Sequence, residues 1–230
     1  MQTTTTLRRT GRTTALGGAV LALVAAAAVG CASSKSSAGG DITGVQSGSP
    51  TTAAATASAS ASASATQPAG APAVTLPADL TVNVQFPASG DATKDAVAQS
   101  MTYALRAYNG AFAKGDGQDP AFVYSWDGMA RPYMADIISQ LAKRNQTITG
   151  TTRYYAPTIT VKDATHAALN YCEDESKGYA KDKTTGQVLT GTPGVQDYTE
   201  WTTGLELSTQ GMWRVTQALG EKGSSRCQNA

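Results

Sequence analysis

Glu173-Asp174-Glu175 is the densest acidic run in the chain, and clustered carboxylates are the first residues to test for acid–base or metal chemistry. A calcium loop needs oxygen ligands at regular spacing and a glycine at its turn, and the run has neither. On a strand, alternation sends Asp174 to the face opposite Glu173 and Glu175, so the run reads as a solvated strand end. His166 is the single histidine. A Ser-His-Asp or Cys-His mechanism needs such a residue beside a nucleophile. The sequence has no Gly-x-Ser-x-Gly elbow, no Gly-x-Gly-x-x-Gly and no phosphate loop, and His166 reads as a surface turn residue. Glu200 and Glu206 alternate with Trp201 and Leu205 and should face away from a core, and Asp136 beside Ile137 is no better placed. No catalytic residue, metal site or cofactor is therefore expected.

The three cysteines divide into one and two. Residues 1–12 hold Arg8, Arg9 and Arg12 and no acid, and the uncharged stretch Thr13–Gly30 has its apolar part at Ala19–Val29. Ala28-Val29-Gly30-Cys31 then sets small residues directly before a cysteine. This pattern resembles bacterial lipoprotein signal peptides, which implies cleavage before Cys31 and a diacylglycerol on its sulfur. A membrane-spanning helix needs about 20 strongly apolar residues, more than this Ala- and Gly-rich stretch supplies, and a plain secretory signal would not need the cysteine. Arg8-Arg9 is followed by a poor match to a twin-arginine signal. Cys172 and Cys227 remain, an even pair expected to form a disulfide in an oxidising compartment. A buried free thiol or a metal pair are the alternatives, and two cysteines with one distant histidine do not close a zinc site.

The elements must position whatever does the work. All aromatic residues lie between Phe86 and Trp213, and they bury the most apolar area per side chain. The core is therefore built there. Residues 1–30 read as a signal peptide, 31–75 as an Ala/Ser/Thr-rich tether with too little to bury to order itself, and 76–230 as one domain with its core at about 91–227. About 42 residues of flexible coil span roughly 35 Å in the mean, which keeps the domain near the membrane face. Leu80, Val82, Val84 and Phe86 alternate with polar residues, as in a half-buried strand or extended lead-in. Val97, Met101, Leu105, Tyr108 and Phe112 form one stripe of a long helix from Asp91 to Lys114. Asp119-Pro120 opens a short helix, and Pro132 a third with Met134, Ile137, Ile138 and Leu141 inward. The period then changes to two, with strands at about 151–161, 166–175, 198–208 and 212–221.

Helices followed by a run of antiparallel strands predict an α+β domain, with the helices packed in a curved antiparallel sheet of about four strands. That order resembles the nuclear transport factor 2-like cone. Tyr154-Tyr155-Ala156-Pro157, Cys172-Glu173-Asp174-Glu175-Ser176-Lys177, Gly211-Met212-Trp213 and Cys227 also look like motifs of an actinomycete family of secreted lipoproteins. The resemblance implies a fold and a location and brings no activity with it. A cone of this kind often holds a pocket. Tyr108, Phe112, Tyr155, Tyr171, Trp201 and Trp213 are its candidate lining, with a packed core as the alternative. A one-residue register error would move every strand residue to the other face.

The chain carries a net +1, but removal of the three arginines before Cys31 leaves 15 basic and 17 acidic residues, a net −2. That charge, without clustered Lys or Arg, argues against nucleic acid. The expectation is a monomeric, non-enzymatic binding module of the cell envelope. It would be anchored to the outer face of the membrane by lipid and bind an envelope protein or a small apolar ligand. An isomerase or dehydratase using the cone is the alternative, because such chemistry needs a carboxylate or histidine of perturbed pKa inside it. A carboxylate buried beside Tyr155 or Tyr171 would overturn that order.

Overall fold

The computed structural model describes residues Gln67–Ala230. Cys31, the signal peptide and tether residues 31–66 lie outside the described residues. Strand β1 (Leu80–Val84) precedes three helices, α1 (Ala92–Lys114), α2 (Pro120–Ser125) and α3 (Ala130–Lys143). Strands β2 (Gln146–Val161), β3 (His166–Asp182), β4 (Val188–Leu189), β5 (Tyr198–Leu207) and β6 (Trp213–Lys222) follow, and a last turn of helix, α4 (Ser225–Gln228), ends the fold. The fold is α+β. No helix among the described residues is long and apolar enough to cross a membrane.

The helix ends are where the sequence sets them. Asp91 accepts from the backbone N–H groups of Thr93 and Lys94, at 2.9 and 3.1 Å, and caps α1. Gly115 ends it in the left-handed region, at φ +74°, returning its N–H to Ala111 and Phe112. Asp119 caps α2 in the same way, with Pro120 in its first turn. Helix α3 starts two residues before Pro132. A proline in the first turn lacks no hydrogen bond the helix would otherwise make, so it does not mark the start.

The strand order is β1-β2-β3-β5-β6, with β4 paired to β3. The four long strands run antiparallel, as the periodicity predicts, but β1 lies parallel to β2 and makes the sheet mixed. A connection through three helices returns the chain to the same end of the sheet, which is the geometry parallel pairing requires. Helix α1 touches β1 and β2 at one side of the sheet and β6 at the other, so the sheet curls around it. Val97, Met101, Leu105 and Tyr108 meet Tyr154, Leu169, Tyr171, Trp201, Trp213 and Val215 in the main core.

Strand β2 supplies much of the curl. Its pairing with β3 slips at Thr151/Arg153 and again at Tyr155/Thr158, where Ala156 has φ +51°. Pro157 sits within the second bulge, one of the few strand sites that tolerate it. At Gly150, φ is +90° and a Cβ would run into the Lys177 carbonyl, so only glycine fits. The domain also begins before the expected boundary at residue 75. Ala71 is buried with Tyr103, Ala107, Ala121 and Met212, and the Tyr103 hydroxyl donates to Pro72 O at 2.8 Å. Short apolar residues in an Ala/Pro-rich stretch carry no periodic signal, which is why composition assigned them to the tether.

Candidate functional site

Strand β3 alternates between two faces, and residues 171–174 show what each face is for. Tyr171 points to the helices and stacks on Trp201, with ring centroids 6.5 Å apart. Cys172 points away and is bonded to Cys227, with Cα atoms 5.3 Å apart. Glu173 returns to the helix side and is only 6% exposed. Asp174 faces out again and pairs with Arg153 at 3.3 Å.

Glu173 forms the inner wall of a cavity of about 200 Å³. Helix α1 contributes Tyr108, Asn109 and Phe112, and β2 contributes Ile148, Thr149 and Thr152. Strand β3 adds Glu175 and Gly178–Ala180, and the 3-10 turn Val195–Asp197 before β5 adds Asp197. Tyr108 and Phe112, four residues apart on the helix, stack at 5.5 Å. Asn109 donates through Nδ2 to Leu105 O and to the Tyr154 hydroxyl, both at 2.8 Å. That leaves its Oδ1 as an acceptor at the cavity wall. An outer compartment of about 100 Å³ shares Glu175, Gly178, Tyr179, Ala180 and Asp197 with this cleft and continues to Leu189 and Pro193.

The Glu173 carboxyl is desolvated, and Trp201 Nε1–H donates to its Oε2 at 2.7 Å. Buried carboxylates kept charged generally accept two or three such bonds. Burial therefore dominates, the charge of Glu175 adds to it, and the Glu173 pKa is pushed up to about 8. The indole N–H, the Tyr154 hydroxyl and the charge of Lys222 act in the opposite direction without prevailing. Burial also holds the Tyr108, Tyr154 and Tyr171 hydroxyls well above the usual phenol range, with the charge of Glu173 adding to each. Thr199 stands directly across from Glu173 on β5. Among the described residues its Oγ1 is the buried side-chain polar atom that lacks a hydrogen-bond partner.

The expected lining is brought together only in part. Tyr108 and Phe112 line the cavity. Tyr171, Trp201 and Trp213 face the same side but are packed into the core. Tyr155 is a correction. The bulge at Tyr155/Thr158 shifts the alternation by one, so Tyr154 takes the inward place and Tyr155 packs with Cys172 and Cys227 on the outer face, its hydroxyl donating to Cys227 O. Glu173 is the second correction, since it is a buried wall of the cleft and not a solvated strand end. Its position follows from a rule already in hand, because a residue two beyond an inward Tyr171 must also point inward. Glu200 and Glu206 do face away. Glu200 accepts from Ser224 Oγ at 2.9 Å and pairs with Arg226 at 3.1 Å, and Glu206 meets Thr216 at 3.3 Å. His166 is exposed and bound to Asp163 of its own turn at 2.9 Å.

A larger cavity, about 330 Å³, lies between Gln67–Ala69, α1 and the β5–β6 turn, but among the described residues no ionisable side chain lines it. Among the described residues no three His, Cys, Asp or Glu side chains are placed to hold a metal ion.

No protein-family model matches the chain, and no curated protein does. Solved structures do. A ketosteroid isomerase-like protein from Erwinia carotovora atroseptica aligns at 19% identity and TM-score 0.35, over 53% of this chain and 92% of that one. A nuclear transport factor 2-like superfamily protein from Salmonella enterica aligns at 12% identity and TM-score 0.38, over 58% and 95%. A putative ketosteroid isomerase from Shewanella frigidimarina aligns at 15% identity and TM-score 0.29, over 55% of this chain and 94% of that one.

Proposed function

We propose that this protein is a lipid-anchored module on the outer face of a cell membrane that captures a small molecule in the Glu173 cleft without transforming it. The observation behind the capture is the cleft itself, an aromatic-walled cavity of about 200 Å³ with a buried carboxyl at its inner end. Enclosed pockets that join aromatic walls to fixed polar groups are the default sites for small ligands. The volume is below the roughly 300 Å³ at which drug-sized ligands begin, so the ligand is small. The Ala28-Val29-Gly30-Cys31 pattern supports the anchor. The Cys172–Cys227 bridge supports an oxidising compartment, where disulfides persist.

A second reading rests on Glu173. A carboxyl with its pKa near the working pH is what proton-transfer chemistry needs, and it is buried beside Tyr171, the placement that would put catalysis first. Its surroundings keep capture ahead. Moving a proton next to a carbonyl develops an oxyanion, which requires donors aimed at it. Beyond Glu173, this wall presents the Glu175 and Asp197 carboxylates, and among the described residues no lysine, arginine or histidine lines it beside its hydroxyl donors. Such a field opposes a developing negative charge.

Native mass spectrometry of the chain extracted from its own membrane tests the proposal, with Phe112→Trp filling the cleft. A retained small molecule that the variant loses is expected. A wild-type chain that carries nothing, and that no member of a metabolite collection stabilises against heat, would refute it. Deuterium uptake from heavy water into ketone probes, abolished in Glu173→Gln, would move the second reading to first place.

A further inference from the structure

We infer that the molecule taken by the Glu173 cleft is an organic cation, a small alkylammonium or guanidinium compound; this rests on the capture reading above and names its ligand class. Three features of the cleft carry it. The first is charge: Glu175 and Asp197 line it beside the Glu173 carboxyl, and among the described residues no cationic side chain does. The second is its aromatic walls. Tyr108 and Phe112 form a stacked pair on one side, and Tyr179 stands on the other. Aromatic faces attract cations through their quadrupole, most strongly where water is excluded. The third is the state of Glu173, nine-tenths buried at the inner end, with only neutral partners, the Trp201 indole N–H and the Tyr154 hydroxyl. A cationic N–H group entering the cavity would give it the charge-assisted partner that the protein does not supply. An anion would meet the Glu175 and Asp197 carboxylates with no cationic side chain lining the cleft to offset them.

The groups facing Glu173 fix the pH dependence. They are Tyr154 from β2, Tyr108 from α1, Tyr171 and Glu175 on its own strand and Lys222 from β6. Lys222 is more than half exposed and already paired with Glu175 at 3.4 Å, so it remains at the rim. A cation selects the ionised carboxyl. Because the Glu173 proton leaves at about pH 8, affinity should fall about tenfold for each pH unit below that value as the competent fraction shrinks.

The experiment is a titration of the exported chain with n-butylammonium and n-butylguanidinium, with n-butanol and butyrate as neutral and anionic isosteres. It is followed by the Trp201 indole N–H resonance, which reports directly on Glu173. Both cations should shift that signal saturably, at least tenfold more tightly than butanol or butyrate, and with the pH slope just given. Glu173→Gln, which keeps an acceptor for the indole, should lose the slope and most of the affinity. Glu175→Gln, at the half-exposed rim, should weaken binding a few-fold and keep the slope. Butanol or butyrate binding as tightly as the ammonium would overturn the cation assignment and leave capture standing. So would cation affinity unchanged in Glu173→Gln. If no probe moves the Trp201 signal, the cation assignment falls, and the mass-spectrometry result decides separately whether capture falls with it.

Discussion

Replacing Glu173 with Gln should change how stability depends on pH. In the unfolded chain this carboxyl titrates near 4.5; in the folded protein it titrates at about 8. Between those values the folded state holds a proton that the unfolded state has released. Stability therefore falls as pH rises through this window, at up to about 1.4 kcal/mol per unit. Across the whole window the loss is on the order of 4–5 kcal/mol, a large part of the 5–15 kcal/mol typical of a domain. Below about pH 4.5 the contribution is fully present, and above about 8 it is gone. Asp79, Asp95, Asp163, Asp174 and Asp182 have lowered values, held by local hydrogen bonds and, for Asp79 and Asp174, a cationic partner. Their stabilisation is lost only as pH drops below about 4, outside the window. Urea unfolding of wild type and Glu173→Gln at pH 5, 6.5 and 8, with the disulfide intact, isolates the effect. The wild type should lose several kcal/mol from pH 5 to 8 and the variant little, so that the variant is the more stable protein at pH 8. Equal slopes for the two proteins would show that Glu173 is not the desolvated group described here, and the reasoning on the cleft would fail with it.

Three further outcomes are expected. Paired Cys172→Ala and Cys227→Ala changes open a loop spanning 55 residues and should cost about 4 kcal/mol in the chain-entropy model; a loss under about 1 kcal/mol in urea unfolding would contradict a constraining bridge. Asp91→Ala removes the two cap bonds of α1 and should cost about 1 kcal/mol by the same assay, with an unchanged midpoint contradicting the cap. Cys31→Ser should abolish incorporation of labelled palmitate and shift the chain from the membrane fraction to the medium. Undiminished labelling would remove the anchor from the proposal.

How much of this was legible in the sequence depended on the period of each element. Helix α1 was readable from its stripe and its Asp91 and Gly115 ends, and the four long strands from their alternation. The tight turns and the cysteine pair followed from residue chemistry alone. What could not be read was every feature set by a bulge or a distant partner. Tyr154 and Tyr155 are adjacent aromatics, and only the slip at Ala156, invisible to periodicity, decides which faces the core. The parallel docking of β1 depends on a crossover, not on anything within Leu80–Val84. Burial of Glu173 was within reach, since it shares a face with Tyr171. But charge argues for solvent, and nothing local announces that Trp201, 28 residues on, will supply its hydrogen bond.

The placement of Glu173 and its neighbour Cys172 on one strand connects stability with function. At pH 7 the folded protein must keep protonated a carboxyl that the unfolded chain would ionise. That penalty is about 3 kcal/mol. The adjacent residue anchors a disulfide worth about 4 kcal/mol on the opposite face. The two effects are of similar size and opposite sign, and they meet at consecutive residues of β3. A leucine at 173 would relieve the penalty and pack against Tyr171 and Trp201. A buried acid that is under-bonded, held by an indole and opened to a cavity breaks the local rules of a stable core, and such breaches concentrate at functional sites. A bound cation would instead hold the carboxyl ionised and stabilise the fold by RT ln(1 + [L]/Kd). Thermal stabilisation of the domain by a cation should therefore shrink as pH falls from 8 toward 6, as the ionised fraction of Glu173 falls.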